Sequence, residues 1–283
     1  MHNDYCENCR EFKLNLNADE KAFKQLDKDI EAAYKNLYEN KGYKPVDIAQ
    51  FKAVVDTTYA IFKEALLIGI SDSVLPAVML KSLQNDIFVF SALKTHAQLY
   101  EASRNLLDAE GKIKPFQKFS QDVAKIKKEY NENYLEAEYN FATSSAQMSA
   151  KWIEVEANAD RYNLQYRTAE DDKVRKDHQE LANITLPATH DFWDKYYPPN
   201  GWRCRCIAIE VRKSKFEITD EKKAMEKGDK ATTQIGKDGK NRMEIFRFNP
   251  GKSKVAFPPN HPYSKVQGAR TVEKEVSKMK KPK

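Results

Sequence analysis

Between Tyr166 and Cys206 the chain reads YRTAEDDKVRKDHQELANITLPATHDFWDKYYPPNGWRCRC, and this stretch limits its fold more than any other. Pro187, Pro198, Pro199 and Gly201 forbid a long helix there, because proline lacks the N–H a helix interior needs and its ring clashes with the preceding turn. PPNGWRCRC reads as a rigid corner. Two prolines restrict the backbone, Gly201 permits a left-handed turn, and Trp202 supplies an apolar anchor. Cys206 to Val211 (CIAIEV) alternates and reads as a strand.

Before this stretch the pattern is helical. Phe23, Leu26, Ile30, Ala33, Tyr34 and Leu37 recur three or four apart, predicting a helix over Asp19–Asn40 that Gly42 and Pro45 end. Similar spacing predicts helices over Asp47–Ile68 and Ser73–Ser103, with Pro76 near the start of the latter, where the missing N–H costs least. Gly111 and Pro115 break the pattern. A long helical region then runs from Phe116 to Asn163 with two apolar stripes, Phe116 to Tyr130 and Leu135 to Ala157. Its middle is rich in small residues (Ala142, Ser144, Ser145, Ala146, Ser149, Ala150), which suits close packing inside a bundle. After the strand, Phe216–Gly228 reads as a short helix, and GKDG at 236–239 as the turn of a hairpin. The expected fold class is α+β and predominantly helical, with a helix-rich N-terminal part and a smaller mixed segment of short strands. The expected division is 1–115, 116–211, 212–264 and a basic tail at 265–283.

Charge location matters more than its total. The net charge is +6, and Lys265 to Lys283 carries seven basic and two acidic residues, leaving the rest nearly neutral. Lys274, Lys278, Lys280 and Lys281 are candidate contacts to double-stranded DNA through phosphate neutralisation. The competing expectation is a solubilising, disordered end. No leader-like run opens the chain, and Tyr59–Leu80 is interrupted by Lys63, Glu64, Asp72 and Pro76, so no membrane partner is expected.

Two of the four cysteines, Cys204 and Cys206, flank Arg205. On an extended chain residues two apart point the same way, so both sulfurs can face one ion. His178 is a further candidate ligand, and Cys6 and Cys9 have a gap that also suits zinc. The alternative is two independent thiol pairs. No cofactor is expected, zinc being the alternative that the thiols and imidazole leave open. Known catalytic patterns are missing. HQEL at 178–181 is not the HExxH of zinc proteases, and neither a G-x-S-x-G elbow nor a phosphate-binding loop is present. Arg203 and Arg205 suit bidentate anion recognition, or ion pairs with Glu170, Asp171 or Asp172.

YNFATSSAQMSAKW (139–152), YRTAEDDKVRKDHQEL (166–181) and THDFWDKYYPPNGWRCRC (189–206) together resemble the phage Mu protein F-like minor head proteins. The resemblance covers roughly Gln117 to Val211, and the segment from Phe248 to Tyr263 also looks similar. The residues carrying the motif are Arg167, Asp171, His178, Trp193, Pro198, Pro199, Gly201, Trp202, Cys204, Arg205 and Cys206. Many relatives carry Cys-x-x-Cys where this chain has Arg175 and His178. The resemblance implies a minor head protein that assists head morphogenesis, associates with the portal and other capsid proteins, and takes part in DNA packaging or delivery. It implies a place in the virion, with assembly in the host cytoplasm, and no enzyme. The alternatives are a nuclease or ADP-ribosyltransferase-like enzyme using Arg167, Asp171, His178 and Glu180, or a zinc-stabilised binding module.

Overall fold

The computed structural model describes residues 20–71 and 73–282; Cys6 and Cys9 lie outside them. The fold is α+β and predominantly helical. Helices α1 (Glu20–Glu39), α2 (Lys52–Ile70), α3 (Ala77–Ser103), α4 (Phe116–Lys128) and α5 (Leu135–Asn158) precede a three-stranded sheet. Two compact units divide the chain: Leu66–Leu83 with Asn140–Pro259, and the described part of Leu16–Ala65 with Gln84–Tyr139 and Asn260–Lys283. Among the described residues no helix is long and apolar enough to cross a membrane.

In the helical unit, α1 buries Leu26, Ile30, Ala33, Tyr34 and Leu37, the face its spacing predicts. The helix expected from Asp47 is a 3-10 turn over Pro45–Phe51 before α2 begins. The long helix expected from Phe116 is interrupted by a π-helical turn, Glu129–Tyr134, between its two apolar stripes. Lys94 of α3 reaches this turn and donates to the Tyr130 carbonyl at 2.7 Å. Its ammonium also pairs with Glu138 at 2.8 Å, both side chains being only 3% exposed. Burial draws the Lys94 pKa down and the Glu138 pKa up, and the partner's charge opposes each shift. The Tyr130, Tyr134 and Tyr263 rings surround the ammonium with centroids at 5.2, 5.9 and 5.6 Å. Tyr263 donates to the other Glu138 oxygen at 2.7 Å.

The second unit holds the sheet, ordered β2-β1-β3 and antiparallel throughout. Its strands are β1 (Tyr162–Arg167), β2 (Thr185–Pro187) and β3 (Ile207–Arg212). The expected strand at Cys206–Val211 is β3. The helix expected to reach Asn163 instead stops at Asn158, and β1 comes next. As the central strand, β1 has Asn163, Leu164, Gln165 and Tyr166 all buried, so no polar–apolar alternation marks it. Short helices α6 (Lys176–Gln179), α7 (Phe192–Tyr196), α8 (Glu221–Ala231) and α9 (Pro250–Ser253) flank the sheet residues in sequence. Trp152, Leu164, Tyr166, Leu186, Phe192 and Trp193 form the centre of this core. The small-residue stretch of α5 packs within the chain: a Cβ on Gly69 would lie 2.2 Å from the Thr143 carbonyl and 2.8 Å from the Ala146 methyl.

The hairpin expected around GKDG is reduced to one antiparallel bridge, Ile235 with Asn241. Asn241 takes over the ladder: its side-chain oxygen accepts from the Gln234 and Met243 amides, and its amide nitrogen donates to the Thr232 carbonyl. Such side-chain bonds replace strand pairing. The expected helix at Phe216–Gly228 is shifted to α8, which Asp220 caps by accepting from the Lys223 amide.

Gly228 of α8 gives a direct packing test. A Cβ there would meet the Tyr196 ring at 2.4 Å, and Tyr196 is held by its own bond to Asp229 at 2.7 Å. Alanine gains about 1 kcal/mol of helix propensity but overpacking costs about 1–3 kcal/mol. Gly228→Ala is therefore expected to lower stability by up to about 2 kcal/mol, read from chemical unfolding; higher stability would show that the ring yields.

The basic tail expected at 265–283 belongs to the helical unit and is in part folded, which corrects the disordered reading. Ala269–Val276 form α10, and Ala269, Val272 and Val276 are buried. The three apolar residues recur three and four apart, enough to bury one face. Lys274 and Lys280 are exposed, Lys281 is half-buried, and Lys278 pairs with Glu275 at 2.8 Å.

Candidate metal centre

The centre is assembled from two pieces of chain. α6 presents His178, and the corner before β3 presents Cys204 and Cys206. All three are buried. Both sulfurs lie 3.6 Å from the same imidazole nitrogen, Nδ1. One ligand atom from each residue falls within 4.8 Å of the others. The second ring nitrogen, Nε2, is buried without a hydrogen-bond partner.

The corner owes its shape to its neighbours. Pro198, Pro199, Asn200 and Gly201 are all buried. Tyr166 of β1 donates to the Asn200 side-chain oxygen at 2.9 Å, and Asn200 donates to the Tyr197 carbonyl at 3.3 Å. Gly201 has φ +154°, and a Cβ there would stand 2.8 Å from the Arg175 guanidinium. Arg175 in turn donates to the Trp202 carbonyl at 3.0 Å. Arg203 holds a left-handed φ of +58°, which turns the chain so that both sulfurs face inward. Trp202 is half-buried, edge-on to Phe141 at 5.0 Å and Phe246 at 5.1 Å. Trp193 is fully buried, and its carbonyl accepts from Asn249 at 3.1 Å.

Charge is organised around the thiols. Hydrogen bonding with the Cys206 thiol, and then with His178, draws the Cys204 pKa down. Cys206 is pushed up by Cys204 and by burial. Burial raises Tyr166 well above its usual value, with Cys206 and Cys204 adding to the shift. Arg205 forks onto both Asp171 oxygens at 2.5 and 2.6 Å, and these bonds hold the Asp171 carboxyl down at about 2. Asp171 is thus the partner Arg205 takes among the three acids the sequence offers.

Three of the four residues of the enzyme alternative have separate engagements, and the fourth is Arg167. Asp171 binds Arg205, Glu180 pairs with Lys230 at 2.7 Å, His178 faces the thiols, and the buried Arg167 Nε has no partner. A cleft of about 20 Å³, lined by Lys173, Val174, Arg175, His178, Arg203 and the corner cysteines, adjoins the trio. It has room for one water and not for a substrate. Tyr166 and Asn200 were not expected at the site. A strand reading of YNLQYR would have aimed Tyr166 at the corner, since it and Leu164 share the face opposite Asn163 and Gln165.

Residues 109–209 match the family described as Phage Mu protein F like protein. A stretch of 69 residues, 24% of this chain, is 36% identical to protein F of Escherichia phage Mu, which is named for capsid assembly. That stretch spans 16% of the relative's length. No solved structure matches the chain. The family match takes in all of α4 and α5, the sheet through Ile209 and the thiol–imidazole corner, so it is residues 109–209 that match as a phage Mu protein F-like domain.

Proposed function

We propose that this chain is a phage minor head protein that works in head morphogenesis. It associates with the portal and other capsid subunits and takes part in DNA packaging or delivery. The family match over 109–209 carries the reading, and the Mu relative named for capsid assembly supports it. The corner supports a docking rather than a catalytic role, because its polar groups are spent on one another: Tyr166 on Asn200, Arg205 on Asp171, Arg175 on Trp202. Lys274 and Lys280, exposed on and just beyond α10, are the cations best placed to meet DNA phosphates.

Co-expression with the coat, scaffold and portal proteins of the same phage tests this. The chain is expected to co-sediment with procapsids in a few copies per particle and to be captured by the portal ring alone. Procapsids that form with full portal content and carry none of this chain would sink the proposal. Capture by coat but not by portal would remove the portal association and leave the head role.

A further inference from the structure

We infer that His178, Cys204 and Cys206 form a binding site for one thiophilic divalent ion of the zinc class, closing α6 onto the corner before β3. A zinc ion takes nitrogen at about 2.0–2.1 Å and sulfur at about 2.3 Å, and tetrahedral angles then put nitrogen and sulfur about 3.6 Å apart. The structure has that separation twice, from one nitrogen to two sulfurs. A single S–H···N bond does not place both sulfurs equally close; a forked Nδ1–H or an ion shared by the three atoms does. The convergence of one ligand atom from each residue within 4.8 Å of the others favours the ion.

Burial and ligand chemistry agree. Two thiols and one imidazole are the soft and borderline donors that favour zinc over calcium or magnesium, which take oxygen. With Nδ1 on the ion, the ring proton sits on Nε2, the buried nitrogen that lacks a partner. The water-sized cleft reaches His178 and both cysteines, so the fourth coordination position opens toward it. The centre ties together residues 178 and 204, on either side of β2 and α7, and so fixes the start of β3 in the sheet.

The whole chain, purified under reducing conditions without chelator, is expected to hold one zinc per molecule. X-ray absorption at the zinc edge is expected to show at least two sulfurs at about 2.3 Å and an imidazole at about 2.0–2.1 Å. Replacing zinc by cobalt is expected to give the visible bands of a tetrahedral ion with thiolate charge transfer. Cys204→Ser and Cys206→Ser are each expected to weaken zinc binding by at least about a hundredfold, since even outer groups of such centres matter 10- to 100-fold. Chelation is expected to lower the melting midpoint by on the order of 10 °C. Zinc below about one in ten chains, fewer than two sulfurs around it, no imidazole, or a Cys204–Cys206 disulfide in the reduced preparation each overturns the assignment. Full zinc in Cys6→Ser/Cys9→Ser keeps the ion on the trio. Zinc lost there but retained in Cys204→Ser/Cys206→Ser moves it elsewhere. The absorption measurement needs no variant, so misfolding cannot mask the result.

Discussion

Lys94→Met is expected to destabilise the helical unit by about 3–5 kcal/mol, the usual cost of removing one member of a buried ion pair. Lys94 satisfies two buried acceptors at once, the Glu138 carboxylate and the Tyr130 carbonyl. Methionine fills similar volume but leaves both without a donor, and Glu138 must then stay desolvated or bind a proton. The double variant Lys94→Met/Glu138→Leu removes the stranded carboxylate. It is expected to recover more than half of the loss, the remainder being the Tyr130 carbonyl at about 1–3 kcal/mol. Urea unfolding of the two variants and wild type gives the comparison. A single-variant loss under about 1 kcal/mol, the range of a solvated surface pair, would contradict a buried one.

Acid is expected to destabilise the same unit through His261. Burial, reinforced by the positive charges of Lys94 and Lys265, lowers the His261 pKa from 6.5 to about 3. The ring sits against Phe90 and Tyr263 with centroids at 4.9 and 4.3 Å, and its Nδ1 accepts from the Tyr263 amide at 3.2 Å. A depressed folded pKa gives stability that is complete above pH 6.5 and lost as pH falls toward 3. Between those limits the unfolded chain takes a proton that the folded chain refuses, at about 1.4 kcal/mol per pH unit. The total is on the order of 4–5 kcal/mol, and the slope vanishes below about pH 3. In His261→Asn the side chain can still accept from the Tyr263 amide but does not titrate. Unfolding free energies of wild type and variant from pH 7 to pH 3 are expected to converge by close to one proton's slope. Parallel curves would show that His261 is protonated in the folded protein.

Particular residues show which features the sequence made legible. α1 followed from its apolar spacing, and β3 from the alternation of CIAIEV. β1 did not, because its residues are buried on both sides while Asn163 and Gln165 keep the segment polar. The two thiols were legible from their spacing, and His178 as a candidate beside them. Tyr166 was not, since a lone tyrosine is more often core than site. Lys94 and Glu138 carry no such signal, because residues 91–99 of α3 are all buried although Ser91, Lys94, Thr95, His96 and Gln98 make the segment polar in sequence. In α10 the lysines hid the Ala269, Val272 and Val276 stripe that folds it. The Arg205–Asp171 fork was one of three acid choices, and only the turn of the corner decides among them.

The π-turn at 129–134 is a joint that takes up one extra residue between α4 and α5. Tyr130 and Leu135, five residues apart, both face inward, a step that ordinary helix geometry does not provide. Deleting one residue between them would leave a four-residue step, which a regular α-helix carries on one face. α5 would then keep its inward side, and Glu138 its approach to Lys94. What the deletion would remove is the widened turn that offers the Tyr130 carbonyl to the Lys94 ammonium. The joint is therefore a place where the chain absorbs one residue without turning the helix that follows.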